Sequence, residues 1–228
     1  MTDLERVTES AKGLRNRFDL AGKTAVVVGG NKGLGQSMAL GLAAVGADVC
    51  IVARGPSGLE ETANAISSLG RKGSFVSCDA ANEEDVKALK ATILERYGTI
   101  DVLINSQGTV YLEPIAEFDT ERWQWVMDVN VKSVFLTCKH LGGVMLENGR
   151  GKIINISSVR GFQGRAEDAA YAPSKGAVNQ LTRSLAIEWG PKGVNVNGIA
   201  PVFTITEISK EFLADPEDLV DAPPAGVI

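Results

Sequence analysis

The sequence predicts a single α/β domain in which a doubly wound parallel sheet is covered on both faces by helices. Three observations predict it. Short apolar runs alternate with amphipathic stretches from residue 24 onward. The apolar runs lack the strict polar alternation of strands that have one wet face. The chain of 228 residues is long enough for one sizeable core, and neither an internal repeat nor a second domain is visible.

Six runs rich in Val and Ile read as strands, at 24–29, 48–53, 73–78, 100–105, 152–157 and 194–199. The amphipathic stretches between them read as helices, at 33–45, 59–69, 83–97, 121–147 and 170–189. The first helix opens on a glycine turn, and Asn82 is the natural N-cap of the third. Strand–helix alternation of this kind implies right-handed crossovers and a ligand site beyond the carboxyl ends of the strands. Each motif discussed below falls at such an end. Residues 1–17 carry Asp3, Glu5 and Glu9 without an apolar centre, which fits neither a secretory signal nor an acid-poor transit peptide. They read as a polar arm before a domain spanning 18–228, and the expected location is cytoplasmic.

Composition narrows the chemistry. A formal charge of −5 argues against a nucleic-acid partner, which needs a basic face. Trp123 and Trp125 lie among acidic neighbours and read as packing or interface residues. No run of eighteen apolar residues is present, so a membrane span is not expected. Cys50, Cys78 and Cys138 lack metal-like spacing and read as reduced core residues. The single histidine, His140, rules out a multi-histidine metal site and a Ser-His-Asp mechanism within one chain. Proton chemistry must use other side chains.

The run Gly29-Gly30-Asn31-Lys32-Gly33-Leu34-Gly35 follows the first strand and opens the first helix. Glycines there permit a tight turn and close approach of a pyrophosphate, and the helix N-terminus offers free N–H groups to the anion. The setting points to dinucleotide binding. No Gly-Lys-Ser/Thr closes the loop, so a nucleoside-triphosphate P-loop is disfavoured. The second strand ends at Ala53-Arg54, where NAD sites usually place an acid for the ribose 2′-hydroxyl. Arg54 and Lys32 suit a 2′-phosphate instead, so NADP is the expected cofactor, with NAD as the alternative; both cations could also be solvated surface charges. Asp79 and Ala80 follow the third strand, with Asp79 placed to accept from the adenine amino group.

Tyr171 and Lys175 lie one helical turn apart in Tyr-Ala-Pro-Ser-Lys. A phenol is a poor base at neutral pH, but a nearby ammonium and a positive nicotinamide ring favour phenolate. Upstream, Asn155-Ile156-Ser157-Ser158 ends the fifth strand and can aim a hydroxyl at the same cleft.

With these pieces the chain resembles the short-chain dehydrogenase/reductase family over residues 18–208. The resemblance rests on Gly29, Gly33 and Gly35, Asp79, Asn105 to Gly108, Asn130, Ser158, Tyr171, Lys175, and Pro201 to Thr206. It implies a Rossmann-type fold and hydride transfer between a nicotinamide and a carbonyl or secondary alcohol. It also implies Tyr171 as general acid/base, Ser158 on the reacting oxygen, Lys175 lowering the tyrosine pKa and holding the nicotinamide ribose, and Asn130 anchoring a relay water. Cofactor contacts are implied at Gly29, Asn31, Lys32, Gly33, Leu34, Gly35, Arg54, Asp79, Ala80, Asn105, Gly108, Tyr171, Lys175, Pro201 and Thr206. A homotetramer built on the two long helices is implied as well, with a dimer as the alternative.

Four departures stand out. Val28 replaces the family's threonine, and Ser106-Gln107 replace its Asn-Ala, so the glycine turn is expected to be repacked. Val202 replaces a glycine and is expected to crowd the nicotinamide loop. After Phe212 the chain reaches Ile228 without the usual last strand, which would leave an edge unpaired and 215–228 poorly ordered. Gly35 to Ala43 and Glu188-Trp189-Gly190 are similar to members that act on sugar acids and polyols, such as gluconate dehydrogenases. The 3-oxoacyl carrier-protein reductases are the rival within the family, and a dinucleotide-binding scaffold without catalysis is the rival outside it. No metal is expected.

Overall fold

The computed structural model describes residues 18–202, 204 and 226–227. In chain order they form β1 (Thr24–Val28), α1 (Gly33–Ala44), β2 (Asp48–Ala53), α2 (Leu59–Ser68), β3 (Gly73–Ser77), α3 (Glu83–Tyr97) and β4 (Val102–Asn105). A long helical rod follows, made of α4 (Thr120–Met127), α5 (Ser133–Thr137) and α6 (Gly143–Glu147) joined by π-turns at Asp128–Lys132 and Cys138–Gly142. Then come β5 (Gly151–Ile156), α7 (Tyr171–Trp189), β6 (Val194–Ala200) and the two-residue β7 (Gly226–Val227).

The sheet runs β3-β2-β1-β4-β5-β6-β7, with every pair parallel except β6–β7. Strand order reverses between β1 and β4, which opens a crevice at their carboxyl ends. Side chains alternate across the sheet. Ala25, Val27, Val49, Ile51 and Ile104 pack against Ala39 and Ala43 of α1 and Leu59 and Ile66 of α2. Val26, Val28, Val52, Leu103 and Ile153 pack against Val86, Leu89 and Ile93 of α3, Leu141 and Val144 of the rod, and Val178 of α7. Two apolar layers thus clamp one sheet, which is why the strands read as unbroken apolar runs.

Differences from the sequence reading are local. β5 begins one residue earlier than expected, so Ser157 falls beyond the strand. The long central helix carries π-turns that no periodicity signal announces, and Asn130 sits in the first of them. The β6 edge is not left wholly open. Ile199 and Ala200 pair antiparallel with Val227 and Gly226. The rest of 215–228, the arm 1–17 and Thr206 lie outside the described residues. Asn82 caps α3, its side-chain oxygen accepting from the Glu84 and Asp85 amides, as its position suggested. Cys50, Cys78 and Cys138 are free and buried, and burial pushes Cys78 and Cys138 up to about 12, so they are unreactive core thiols. Among the described residues no helix is long and apolar enough to cross a membrane, and no cluster of His, Cys, Asp or Glu could hold a metal.

Candidate active site

A cleft of about 580 Å³ lies across the carboxyl ends of the strands. The glycine turn, Arg54, Asp79 and Ala80 line one end, and Ser158, Tyr171, Lys175 and Pro201 line the other. Its walls bring together Gly29, Asn31, Lys32, Gly33, Leu34, Gly35 and Gly108, as the sequence led one to expect.

At the glycine end, Gly29 has φ +77°, and a Cβ on it would lie 2.7 Å from the Gln107 amide nitrogen. A Cβ on Gly35 would run into the Gly29 carbonyl. Only bare backbone fits, so β1, the turn and the loop after β4 meet without side chains between them. The departures at Val28 and Ser106 are absorbed here: the Ser106 amide donates to the Val28 carbonyl at 2.9 Å, a main-chain tie that needs no threonine. Lys32 occupies the N-cap of α1 in extended backbone and makes no side-chain cap bond. The first amides of α1 therefore face the cleft without a side-chain acceptor, beside an exposed lysine. Asn31 donates to the Ser57 carbonyl at 2.9 Å and braces the turn against the loop after β2. Arg54 is exposed on that loop and has no ion pair among the described residues. One Asp79 oxygen accepts from the Ala81 amide at 3.0 Å, which fixes the carboxylate at the cleft edge.

At the other end, the strand end separates the two serines. The Ser157 hydroxyl turns to α7, bonding Asn179 and the Lys175 carbonyl. Ser158 caps a short 3₁₀ turn at Val159–Gly161, its Oγ accepting from the Arg160 amide at 3.2 Å, and lines the cleft. Tyr171 opens α7, half-buried, with the Lys175 ammonium 5.8 Å from its ring centre. Lys175 is buried to 5% exposure and donates to the Ile156 carbonyl at 2.9 Å; burial lowers its pKa to about 8.

The ammonium and a positive nicotinamide ring were together expected to lower the tyrosine pKa; in the protein alone, burial pushes the phenol above its ordinary value. The Ser158 hydroxyl draws it down, Asp168 adds to the rise, and Arg160 draws it down again. Desolvation is the largest of these effects and sets the direction.

Two asparagines sit in the interior, and Asn105 is placed differently from the reading. Asn105 is fully buried and absent from the cleft lining. It donates to Asn155 at 2.9 Å and accepts from Thr137 at 2.7 Å, so its amide ties β4 to β5 and the rod beneath the cleft floor. Asn130 is fully buried too. Its Oδ1 accepts from the Thr109 amide at 2.7 Å, and its Nδ2 donates to the Thr109 carbonyl and to Ser174 Oγ, both at 2.9 Å. Through these bonds the side chain shapes the loop after β4 and ties it to α7. Neither role is visible from spacing, because each depends on which distant backbone comes alongside.

Gln107, Asp168, Arg160 and Arg165 also line the cleft, and of these the sequence reading gave Arg160 no role. Gln107 is oriented by its neighbour. Ser133 gives its one hydroxyl proton to the Val129 carbonyl at 2.6 Å, so it must accept from Gln107 Nε2 at 3.0 Å. That leaves Gln107 Oε1 buried without a partner. Asp168 accepts from the Ala172 amide at 2.8 Å and so secures the start of α7 just where Tyr171 leaves it. An aspartate three residues before the tyrosine is a legible cap signal. The arginines carry no local signal at all. Val202 lines the cleft, as its position predicted.

The family model for short chain dehydrogenases matches residues 23–217. The chain is 39% identical over 216 residues to the 2-dehydro-3-deoxy-D-gluconate 5-dehydrogenase of Bacillus subtilis, covering 93% of this chain and 84% of that protein. It is 36% identical over 200 residues to the gluconate 5-dehydrogenase of Gluconobacter oxydans, covering 88% and 78%. Among solved structures, a gluconate 5-dehydrogenase from Burkholderia cenocepacia in complex with NADP and tartrate superimposes with a TM-score of 0.85 at 32% identity, covering 90% of this chain and 80% of that one.

Proposed function

We propose that this chain, which belongs to the short-chain dehydrogenase family, is an NADP(H)-dependent oxidoreductase for small polar carbonyls and secondary alcohols of the sugar-acid or polyol kind. The observation that carries the reading is the convergence of Ser158, Tyr171 and Lys175 on one cleft whose far end is an uncapped helix N-terminus behind bare glycine backbone. Relatives named for gluconate chemistry, and one of them solved with NADP, support the substrate class and the cofactor.

The residues fit a dinucleotide. The α1 amides and Lys32 suit a pyrophosphate, Arg54 a 2′-phosphate, and the Asp79 edge the adenine. When bound, the nicotinamide supplies or receives the hydride. Ser158 and Tyr171 then donate hydrogen bonds to the oxygen on which charge develops. In reduction Tyr171 gives its Oη proton to that oxygen; in oxidation it takes the proton back. A phenol held above its ordinary pKa is protonated at neutral pH, which suits reduction and leaves oxidation favoured by alkali. Lys175 supports the tyrosine from beneath and offers its remaining donors to a ribose. Exposed Phe135 and Ile187 on the two long helical segments support a homo-oligomer, taken here as cytoplasmic.

The test is NADPH oxidation against a panel of keto-sugars and keto-acids, run with Tyr171→Phe in parallel. Turnover of at least one member, lost by ~10³-fold or more in the variant while NADPH still binds, is the expected result. Cofactor binding with no turnover on any member would refute the reading.

A further inference from the structure

We infer that Arg160 and Arg165 form a carboxylate-binding subsite at the catalytic end of the cleft, so that the enzyme selects a substrate carrying one carboxylate near the reacting carbon. This rests on the function proposed above and names what distinguishes its substrate. Both arginines belong to the cleft lining together with Ser158 and Tyr171, Arg160 is close enough to act electrostatically on Tyr171, and neither has an ion-pair partner among the described residues.

Arg160 leaves a rigid base. Its amide is held by Ser158 Oγ at 3.2 Å, and the turn is pinned to α7 by the bond from Asn179 Nδ2 to the Gly161 carbonyl at 3.2 Å. The bond to Ser158 Oγ thus ties the backbone of Arg160 to the serine itself. Arg165 follows on a loop tied across the cleft mouth by the Glu113 amide, which donates to the Glu167 carbonyl at 2.8 Å.

Charge decides the ligand. Asp168 is the acidic side chain that shares this end of the cleft, and it is 7% exposed with one oxygen committed to the Ala172 amide. Two guanidiniums and the Lys175 ammonium against the Asp168 carboxylate leave this end of the cleft positive, which an anionic group on the substrate balances. Val110, Leu112 and Val202 add apolar surface to the same lining. A chain with a formal charge of −5 therefore keeps an excess of positive charge beside its reacting centre. Guanidinium pairs a carboxylate through two parallel bonds in a partly dry cleft, which a neutral sugar cannot reproduce.

The experiment compares kcat/KM for 5-ketogluconate and for the neutral 5-ketofructose in wild type, Arg160→Ala, Arg165→Ala and Arg160→Lys, with thermal midpoints as a folding control. Calorimetric titration of gluconate into the NADPH-loaded protein reads the subsite without turnover, because the alcohol and the reduced cofactor cannot exchange hydride. Wild type should prefer the acid. Each alanine variant should lower the acid-to-neutral ratio by ~10- to 100-fold, mainly through KM, and weaken gluconate binding in parallel. The lysine variant should keep part of the preference. An unchanged ratio, an equal loss on both substrates, or a preference for a keto-sugar phosphate over the acid would overturn the subsite while leaving the oxidoreductase reading intact. Loss of gluconate affinity in the variants of a protein that turns over neither ketone would support the subsite and overturn the reaction instead.

Discussion

Replacing Lys175 with methionine should remove activity and yet make the unliganded protein more stable at neutral pH. The side chain is 5% exposed, and burial lowers its pKa from 10.5 to about 8. Below pH 8 both the folded and the unfolded chain hold the proton, so the folded state carries the whole desolvation penalty. Between pH 8 and 10.5 the unfolded chain binds more protons than the folded one, so wild-type stability rises with pH across that window. A gap of about 2.5 units at about 1.36 kcal/mol each is on the order of 3 kcal/mol of penalty at pH 7. Methionine fills a similar volume without charge but gives up the 2.9 Å bond to the Ile156 carbonyl, a loss of about 1 to 2 kcal/mol. The net expectation is a gain of ~1–2 kcal/mol at pH 7, shrinking by roughly 2 kcal/mol by pH 9.5. Urea unfolding of both proteins at pH 7, 8.5 and 9.5, without nucleotide, measures it. A variant less stable than wild type at pH 7, or a difference that does not change with pH, would refute the claim that this lysine is held at an electrostatic cost for function.

Two further outcomes follow from the glycine end. Gly29→Ala places a Cβ at φ +77° within 2.7 Å of backbone that cannot swing aside, and should cost ~2–4 kcal/mol in urea unfolding along with most NADPH affinity; a loss under about 1 kcal/mol would show the turn to be compliant. Arg54→Ala should lower the NADPH-to-NADH affinity ratio by ~10-fold or more in fluorescence titrations, and a steeper salt dependence of NADPH binding in wild type than in the variant should accompany it.

The fold was legible because its signals are local. Apolar runs of five to seven residues, glycine at the first turn and Asn82 at a helix start each act within a few residues, and together they dictated the strands, helices and crevice that were found. The glycine turn and the serine–tyrosine–lysine set were legible for the same reason: their spacings are fixed by one turn of helix or by one strand end. The π-turn at Asn130 was not, since the extra residue in the helix is accommodated by packing and leaves the hydrophobic period almost unchanged.

By itself, then, the sequence determined a parallel sheet, a dinucleotide-type turn at its switch point, and a tyrosine and lysine on neighbouring turns of one helix. Tertiary structure alone decided which amides were spent below the floor, as with Asn105 on Asn155 and Asn130 on Thr109. It also decided that Ser158 lines the cleft while the Ser157 hydroxyl turns to α7, that Arg160 and Arg165 line the cleft too, and that desolvation raises the Tyr171 phenol. The physical reason is range: hydrogen-bond partners and dielectric surroundings come from chain segments tens of residues apart, and no short window of sequence contains them.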